Sequence, residues 1–494
     1  MPIQQMLLGG GAKLDPPFEM RVIHSVTSNT NPEFIGRGTM RQVSDGTIYW
    51  CFDSENLANV RSGSGRTLVW FATNTAFTGI GATCNNWGST YQAEAIDIYP
   101  YRGSSDTMLI GTVHGYYAAY SSDDRTPLWI FTRNNRANGM TTIKNVRWFY
   151  PGYYTASSFR LSYTGTGDWY WFLINDYNSG SNSSGSNIRV GKLEISTSGV
   201  VDSDSSNLRH LGAGASNGTV YSSWTNDESD TDIIYINCRT YESPVSGGTG
   251  KSVLIKYSNN NGIVWQRNYY NGTTNSNYGY VCEHDSSGNI YHDGIINKNS
   301  QMEPVIFKHN SSGTRQWART FTGNSAPVES VSSVMINNEL FVLYYKTGSW
   351  TSGGDNGVYY LIKINTSDGT IAWQNKLSRT STYTMYHWSL MKDKDNNIGL
   401  QIKLISDSGS VIHGQGCALI TGIQKDGSTG SGSVGPAITY TSTNFITMTG
   451  YNIDDESSTW TTAYSFSEGQ FNDYTGSEIN TNNTAQQFVN INDA

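Results

Sequence analysis

The sequence predicts an all-β protein, a β-propeller of seven blades with four antiparallel strands each, preceded by an extended N-terminal arm. A phrase of apolar residues, a Lys, a polar turn, a Gly and a Trp recurs along the 494 residues. Charged residues make up only 15%, whereas Gly (52), Tyr (32) and Trp (14) are abundant. Because aromatic and β-branched residues suit pleated strands, this composition favours sheet over helix.

The phrase has three clear copies: VLIKYSNNNGIVWQRNY (253–269), VIFKHNSSGTRQWARTF (305–321) and YLIKINTSDGTIAWQNKL (360–377). Each copy is typical of a hairpin of two strands around the Gly-containing turn. The segment before a copy supplies two more apolar runs, as in SSVMINNELFVLYY (332–345), which is split by the turn at Asn337 and Asn338. The repeating unit therefore has four short strands.

The same unit extends in both directions with lower fidelity, and AITYTS (437–442) is predicted as the last strand of the seventh unit. The units are marked by Trp70, Trp129, Val201, Trp265, Trp317, Trp373 and the region of Gly430. We predict the propeller over residues 36–450. A large aromatic side chain such as Trp at the end of each unit is suited to packing between blades. The predicted inter-blade residues are Trp70, Trp129, Trp265, Trp317 and Trp373.

The apolar run, turn, Gly and Trp, as in YLIKINTSDGTIAW, resemble the repeat of quinoprotein-type β-propellers. The likeness is clear over residues 250–380 and fainter over 36–450. It implies a fold only, since propellers support many functions. The chain has no adjacent-cysteine pair of the kind that quinoprotein dehydrogenases use, and we expect no quinone or other cofactor.

No pattern of residues indicates catalysis. The eight histidines fall at no metal-ligand spacing, and neither a GxSxG nor a phosphate-binding GKS or GKT sequence occurs. The stretch DKDNNIG places Asp393, Asp395 and Asn397 at alternate positions, like the start of a calcium loop, but has Ile398 where such a loop needs Gly. We interpret it as a hairpin turn and predict neither a metal site nor an enzyme.

Charge and hydropathy narrow the range of partners. The net charge is −8 and no basic stripe is present, which argues against nucleic acid. No apolar run approaches the roughly 20 residues of a membrane-spanning helix, and MPIQQMLLGGGAK lacks the basic leader of a secretory signal. We expect synthesis in a cytoplasm and no membrane insertion.

The two ends differ from the ring. Residues 1–35 are predicted to be an anchoring arm, in which Gly9–Gly11 separate the patch Ile3, Gln4, Gln5, Met6, Leu7 and Leu8 from the ring. MPIQQMLLGGG resembles the start of tail and other virion structural proteins of marine phages, notably cyanophages. Residues 451–494 are predicted to form a final strand pair or a tail.

These features predict a non-enzymatic bacteriophage virion protein, a tail or tail-fibre component present in several copies per particle. The resemblance of the arm implies that it docks on other virion proteins. The propeller would then act as an adaptor, or would attach the particle to the host by binding a surface protein or glycan. Aromatic residues such as Trp169 and Trp171 could hold sugars or form blade core. The alternatives are a secreted bacterial propeller lectin or adhesin, and a propeller enzyme.

Overall fold

The structure is a computed structural model of the chain. It describes the following residues: 19–25, 31–33, 40–43, 46–55, 66–73, 79–86, 91–101, 105–117, 128–134, 143–149, 154–178, 187–197, 201–203, 209–211, 219–227, 229–240, 251–270, 279–298, 301–322, 329–346, 358–379, 383–406, 413–428, 432–434, 438–442, 447–450, 454–456, 462–465, 472–473, 480–482 and 488–493.

All of the regular elements described are β-strands. The first ten are β1 (Glu19–Ser25), β2 (Asn31–Glu33), β3 (Met40–Gln42), β4 (Ile48–Glu55), β5 (Arg66–Thr73), β6 (Gly79–Asn86), β7 (Tyr91–Tyr101), β8 (Ser105–Tyr117), β9 (Leu128–Asn134) and β10 (Ile143–Phe149). The next ten are β11 (Tyr154–Tyr163), β12 (Trp169–Asn178), β13 (Asn187–Ile195), β14 (Val201–Ser203), β15 (Arg209–Leu211), β16 (Thr219–Asn226), β17 (Ile233–Thr240), β18 (Lys251–Ser258), β19 (Gly262–Tyr270) and β20 (Cys282–His284).

The strands of the clearest repeats follow, and short strands end the chain. They are β21 (Ile290–Lys298), β22 (Gln301–His309), β23 (Arg315–Thr322), β24 (Glu329–Ile336), β25 (Glu339–Lys346), β26 (Val358–Ile364), β27 (Ile371–Arg379), β28 (Tyr383–Lys392), β29 (Ile398–Ser406) and β30 (His413–Ile423). The last eight are β31 (Gly432–Val434), β32 (Ile438–Ser442), β33 (Thr447–Gly450), β34 (Asp454–Glu456), β35 (Thr462–Ser465), β36 (Asn472–Asp473), β37 (Asn480–Asn482) and β38 (Phe488–Asp493).

These strands form seven antiparallel sheets, which we number in chain order. Sheet 1 contains β2–β6, sheet 2 β7–β10, sheet 3 β11–β15, sheet 4 β16–β19, sheet 5 β20–β23, sheet 6 β24–β27, and sheet 7 β28–β30 with β1. The first strand of each sheet contacts the sheet before it, and β2 of sheet 1 contacts β30 of sheet 7. The predicted all-β propeller of four-stranded antiparallel units is confirmed. No helix among the described residues is long and apolar enough to cross a membrane.

Buried cores are described between the five consecutive sheets from sheet 3 to sheet 7. The structure therefore shows five packed blades, whereas the sequence predicts seven. Nearly all side chains of sheets 1 and 2 lie outside the described residues, so no packing is described for them. In β25 the run from Leu340 to Tyr345 is buried throughout. A continuous apolar run of this kind arises because another sheet covers each face of the strand.

Tight turns join several pairs of neighbouring strands among the described residues. Asn337 and Asn338, predicted as a turn, both have positive φ (52° and 63°), the conformation of a two-residue hairpin turn that Asn tolerates. Gly288, in the turn between β20 and β21, has φ 75°. The sequence predicts such turns because their conformation depends on residues that are adjacent in sequence.

The ends of the chain are arranged differently from the expectation. The range 1–35, predicted as an arm, includes β1, which pairs with β30 and supplies the fourth strand of sheet 7. The strand predicted for that position, AITYTS, is β32 and pairs instead with β27 of sheet 6. Within 451–494, expected to form a strand pair or a tail, β34 to β38 each join a different sheet. Apolar pattern alone does not specify a long-range pairing partner.

Candidate functional site

The recurring Trp lies at the contact between neighbouring sheets. Trp265 of β19 donates its indole Nε1–H to the carbonyl of Ser311, 3.1 Å away in the turn between β22 and β23 of the next sheet. Gly313 in that turn has φ +79°, and a Cβ built on it would lie 2.9 Å from Cδ2 of Trp265. The turn therefore needs Gly for two reasons, its backbone conformation and the closeness of the ring.

The same contact occurs twice more. Trp317 donates to the Thr366 carbonyl at 3.3 Å, and Trp373 donates to the Lys425 carbonyl at 2.8 Å. A Cβ on Gly369 or on Gly427 would lie 2.7 Å from the Trp ring of the preceding sheet. We call each Trp with the Gly-containing turn that it meets an inter-sheet lock. The Gly of one phrase thus packs on the Trp of the phrase before it, which gives the repeated phrase a physical reason.

The Lys of the phrase supports the lock. Lys308 Nζ lies 5.5 Å from the ring centroid of Tyr291 and donates to the Thr366 carbonyl at 2.7 Å, the same oxygen that Trp317 uses. Lys256 Nζ lies 5.5 Å from the ring centroid of Tyr235 and donates to the Ser311 carbonyl at 3.4 Å, the same oxygen that Trp265 uses. An ammonium over an aromatic face is attracted by the ring quadrupole. In two of the three phrases the Lys therefore joins its sheet to the turn of the next one, whereas Lys363 pairs with Glu339 of its own sheet.

The remaining predicted site residues fall elsewhere. Trp70 is in β5 and Trp129 in β9, each the third rather than the fourth of the main strands in its sheet, and their side chains lie outside the described residues. Ile3, Gln4, Gln5, Met6, Leu7 and Leu8 also lie outside them. The structure therefore brings together Trp265, Trp317 and Trp373 with their turns, and the other predicted positions remain predictions.

Serine side chains join the first strands of sheets 3 to 7. Ser162 Oγ donates to Asn226 Oδ1 at 2.6 Å, linking sheets 3 and 4. The other contacts lie between sheets 4 and 5, 5 and 6, and 6 and 7: Ser223 Oγ to the Gly279 carbonyl (3.5 Å), the Tyr280 N–H to Ser330 Oγ (2.9 Å), and the Leu390 N–H to Ser332 Oγ (3.0 Å). We call these four contacts the serine rungs. The rungs therefore lie in or next to the first strands, at the inner ends of the sheets.

Strand β20 carries the most perturbed carboxyl group of this inner region. Burial raises the pKa of Glu283 to about 7, and hydrogen bonds from Ser333 and the Met335 backbone oppose the rise. Ser333 Oγ donates to Glu283 Oε1 at 2.8 Å and so links sheets 5 and 6. Perturbed carboxyls often mark functional positions, but structural networks perturb them as well. Here the carboxyl bonds to a neighbouring strand, which is a structural use.

The residue after Glu283 contacts the opposite neighbour. His284 Nε2 lies 3.4 Å from Asp227 Oδ1 of sheet 4, and its ring stacks on Tyr235 at a centroid distance of 6.2 Å. Cys282 Sγ also reaches sheet 4, donating to the Tyr235 carbonyl at 3.5 Å. Successive residues of a strand project from opposite faces. Strand β20 therefore contacts sheet 4 through two residues and sheet 6 through Glu283.

A buried polar group also connects sheets 4 and 5. Asn237 Nδ2 donates to the carbonyls of Val281 (3.0 Å) and Asp293 (2.9 Å), and Asp293 Oδ1 accepts the Val281 N–H at 2.9 Å. A Cβ on Gly279 would lie 2.2 Å from the Asp293 carbonyl oxygen. Sequence reasoning missed Asn237 and Asp293. The signal was a polar residue inside an apolar run, as in IIYINC and IYHDG.

The stretch that resembles a calcium loop is a capped turn. Asp393 Oδ1 accepts the N–H groups of Asp395 (2.9 Å) and Asn397 (2.7 Å), and its Oδ2 accepts the Gly422 N–H at 2.9 Å. The side chain of Asp395 bonds instead to Lys394, at 2.6 Å. The oxygens thus bind backbone donors and do not converge on a common point. Across the described residues, no group of three or more His, Cys, Asp or Glu is placed to hold a metal ion.

Asp285 caps a turn in the same way. Burial opposes its charge, but hydrogen bonds from Asn289, Tyr291 and the Ser287 backbone together lower its pKa below the usual value. Tyr291 Oη donates to Asp285 Oδ2 at 2.9 Å. These buried carboxylates therefore stabilise hairpin turns.

Of the paired aromatic residues, Trp171 is fully buried in the core between sheets 3 and 4, and Trp169 is half-buried. Trp171 meets Tyr257 edge-on at a centroid distance of 6.3 Å. This ring is therefore blade core and offers no surface for a sugar.

Comparison with known proteins does not assign the chain to a family. No protein-family model matches the chain, and no curated protein sequence is significantly similar to it. The resemblances to quinoprotein propellers and to phage virion proteins are therefore predictions from short motifs. The function of the chain is therefore inferred from the geometry of the inter-sheet locks and serine rungs.

Proposed function

We propose that this chain is a non-enzymatic structural protein of a bacteriophage virion, a tail or tail-fibre component. It carries seven blades, of which the first two are formed by sheets 1 and 2. The ring acts as a rigid adaptor or as a module that binds a host surface protein or glycan. The N-terminal arm docks on other virion proteins, and several copies are mounted on each particle after synthesis in the host cytoplasm.

One observation carries the proposal: the repeated polar contacts of the described residues join one sheet to the next. The inter-sheet locks, the serine rungs and the Asn237 group link consecutive sheets at several depths. Glu283, the carboxyl with the raised pKa, bonds across to a neighbouring strand. Contacts arranged in this way favour a ring that keeps its shape under load, which a particle-mounted adaptor requires.

The position of β1 supports the docking role of the arm. Strand β1 pairs with β30 over seven residues, Glu19 to Ser25. Whatever residues 1–18 bind is therefore joined to the ring through a paired strand. The locks resist distortion of the ring, so a load applied at β1 would be shared among the sheets.

Immunogold labelling of purified phage particles tests the proposal. Antibodies raised against the ring should label the tail or its fibres at several sites on each particle. Particles lacking the gene are the control for specificity. Protein found only in the lysate or medium, with no label on intact particles, would overturn the virion proposal.

A further inference from the structure

Seven short strands near the end of the chain are distributed one to each sheet. β32 pairs with β27, β33 with β23, β34 with β19, β35 with β15, β36 with β10, β37 with β6, and β38 with β1. In every case the partner is the last main strand of its sheet, on the side remote from the first strand; six of the seven short strands are outermost in their sheets, and β32 is followed by β31. We call these seven strands, β32 to β38, the belt.

The belt makes one full circuit in the direction opposite to the main chain. It leaves sheet 7 after β30, passes sheets 6, 5, 4, 3, 2 and 1 in that order, and returns to sheet 7. Its strands begin at residues 438, 447, 454, 462, 472, 480 and 488, so successive starts are 7 to 10 residues apart. This regular spacing matches one strand added at each step around a ring.

The end of the circuit encloses the N-terminal strand. β1 pairs with β30 on one side and with β38 on the other, and both pairings are antiparallel. On the belt side the register runs from Met20 opposite Asp493 to Ser25 opposite Phe488. β1 is therefore an interior strand of sheet 7, hydrogen-bonded along both edges, although it is covalently continuous with neither neighbour.

An open sheet edge presents unpaired N–H and C=O groups that can pair with a strand from another chain. The belt covers such an edge on each sheet. Very short edge strands are one of the devices by which natural sheets avoid edge-to-edge association. Most belt strands have five residues or fewer, β36 only two.

We propose that β32 to β38 form a strand-addition belt that latches β1 into sheet 7 and pairs with the outer strands of the sheets, which would otherwise accept strands from a second copy of the chain. This role does not depend on what the ring binds. A pull on the N-terminal arm is then carried by two strand pairings, and the ring is fastened at one sheet by segments from both ends of the sequence.

Disulfide trapping in the full chain tests the register. Residues facing each other across antiparallel strands have Cα atoms about 4.5–5.5 Å apart, which is within disulfide range. Val22 faces Ile491, whereas Asn490 is the next residue along the belt and projects from the opposite face. Val22→Cys with Ile491→Cys should form an intramolecular bond on mild oxidation, and Val22→Cys with Asn490→Cys is the matched control.

A second pair tests whether the belt reaches a distant sheet. Tyr269 faces Asp455 across β19 and β34, and Asp454 supplies the control position. Peptide mass spectrometry identifies the linked residues and separates them from native thiols such as the buried Cys238 and Cys282. Bonds in both facing pairs, on the monomer band only, are the expected result. Equal yields in facing and control pairs, or a bond only between two chains, would overturn the belt.

Hydrogen exchange tests the latch itself. Deleting residues 484–494 removes β38 but leaves the rest of the belt, and should raise amide exchange in residues 19–25 about tenfold or more, because one of the two neighbours of β1 is lost. The deleted protein should also self-associate in light scattering. If this variant does not fold, the oxidised Val22–Ile491 disulfide variant supplies the measurement, and it should exchange more slowly than its reduced form. Unchanged exchange of residues 19–25 in whichever variant is measured would contradict the latch.

Discussion

Replacing Gly369 by Ala should weaken one inter-sheet lock. Gly369 has φ +77°, and a Cβ there would lie 2.7 Å from Cε3 of Trp317 and 2.7 Å from Cγ of Arg319. Gly288 is a matched control, since its φ is +75° but its nearest contact would be the Ser311 Cβ at 3.3 Å. Both substitutions place a Cβ on a left-handed backbone, and only one of them collides with a Trp ring.

The expected free energies follow from these two contributions. A Cβ in the left-handed region costs roughly 1–2 kcal/mol, which both variants should lose. Gly369→Ala must in addition displace the ring of Trp317, and overpacking of this kind costs typically about 1–3 kcal/mol. The Cγ of Arg319, at the same distance, must shift as well. Gly369→Ala should therefore lose about 1–3 kcal/mol more than Gly288→Ala.

Urea denaturation, followed by Trp fluorescence, measures the difference from the two midpoints at a common slope. The same two substitutions should be repeated in a Trp317→Ala background, where the ring is absent. There the excess loss of Gly369→Ala should shrink, because the ring is gone and only the backbone contribution and the Arg319 contact remain. Equal losses in the parent background, or an excess of the same size without the ring, would refute the lock.

Three further predictions concern single side chains. Trp317→Ala should lower the free energy of unfolding by about 3–5 kcal/mol, because the ring is 8% exposed and fills the core between sheets 5 and 6; a urea midpoint equal to the parent's would contradict this. Glu283 keeps its proton in the folded chain up to a pKa of about 7 but loses it near 4.5 when unfolded, so stability falls as pH rises across that window, by up to about 3 kcal/mol. Glu283→Gln should flatten the dependence of melting temperature on pH between 4.5 and 7.5, and an unchanged profile would exclude this carboxyl as its cause. Asp393→Ala should cost about 1–3 kcal/mol, since three backbone N–H groups lose their acceptor, whereas calcium or EDTA should leave the parent's melting temperature unchanged; a calcium-dependent shift that Asp393→Ala abolishes would restore the metal interpretation.

The hairpins of the repeat could be predicted because their signals are local. The turn residues Asn337, Asn338 and Gly288 adopt the positive φ that their identities favour. The partner of the recurring Trp was less accessible. Gly313 and Trp317 are four residues apart in sequence, yet Gly313 packs on Trp265 of the preceding sheet. The hairpin sets the spacing between Gly and Trp within one phrase, but each Gly packs on the Trp of the preceding phrase.

The pairing of the chain ends could not be predicted from the sequence. EMRVIHS has the character of a strand, but only the completed ring shows that sheet 7 lacks a fourth strand until β1 joins it. The belt strands are short and mostly polar, so they carry little apolar alternation. Their partners lie from about 60 to more than 460 residues away in sequence, as β27 and β1 show. Pairing at such distances depends on the assembled sheets and leaves almost no local signal.

The inner contacts were missed for a related reason. Glu283 and Ser333 are 50 residues apart, and each stands in an unremarkable strand pattern. A lone polar residue in a strand is usually exposed, and here each faces the neighbouring sheet.

The measurement that tests the functional account most directly is incorporation of an arm-deleted chain into phage particles. Deleting residues 2–8 should leave the melting temperature unchanged, because they precede β1, the first strand described in the ring, while the protein disappears from purified particles. A full-length chain with Ile3, Met6, Leu7 and Leu8 changed to Ser is the matched control and should also be lost, since apolar side chains are proposed to make the contact. Normal incorporation of the deleted chain, quantified by mass spectrometry against a major virion protein, would contradict the account.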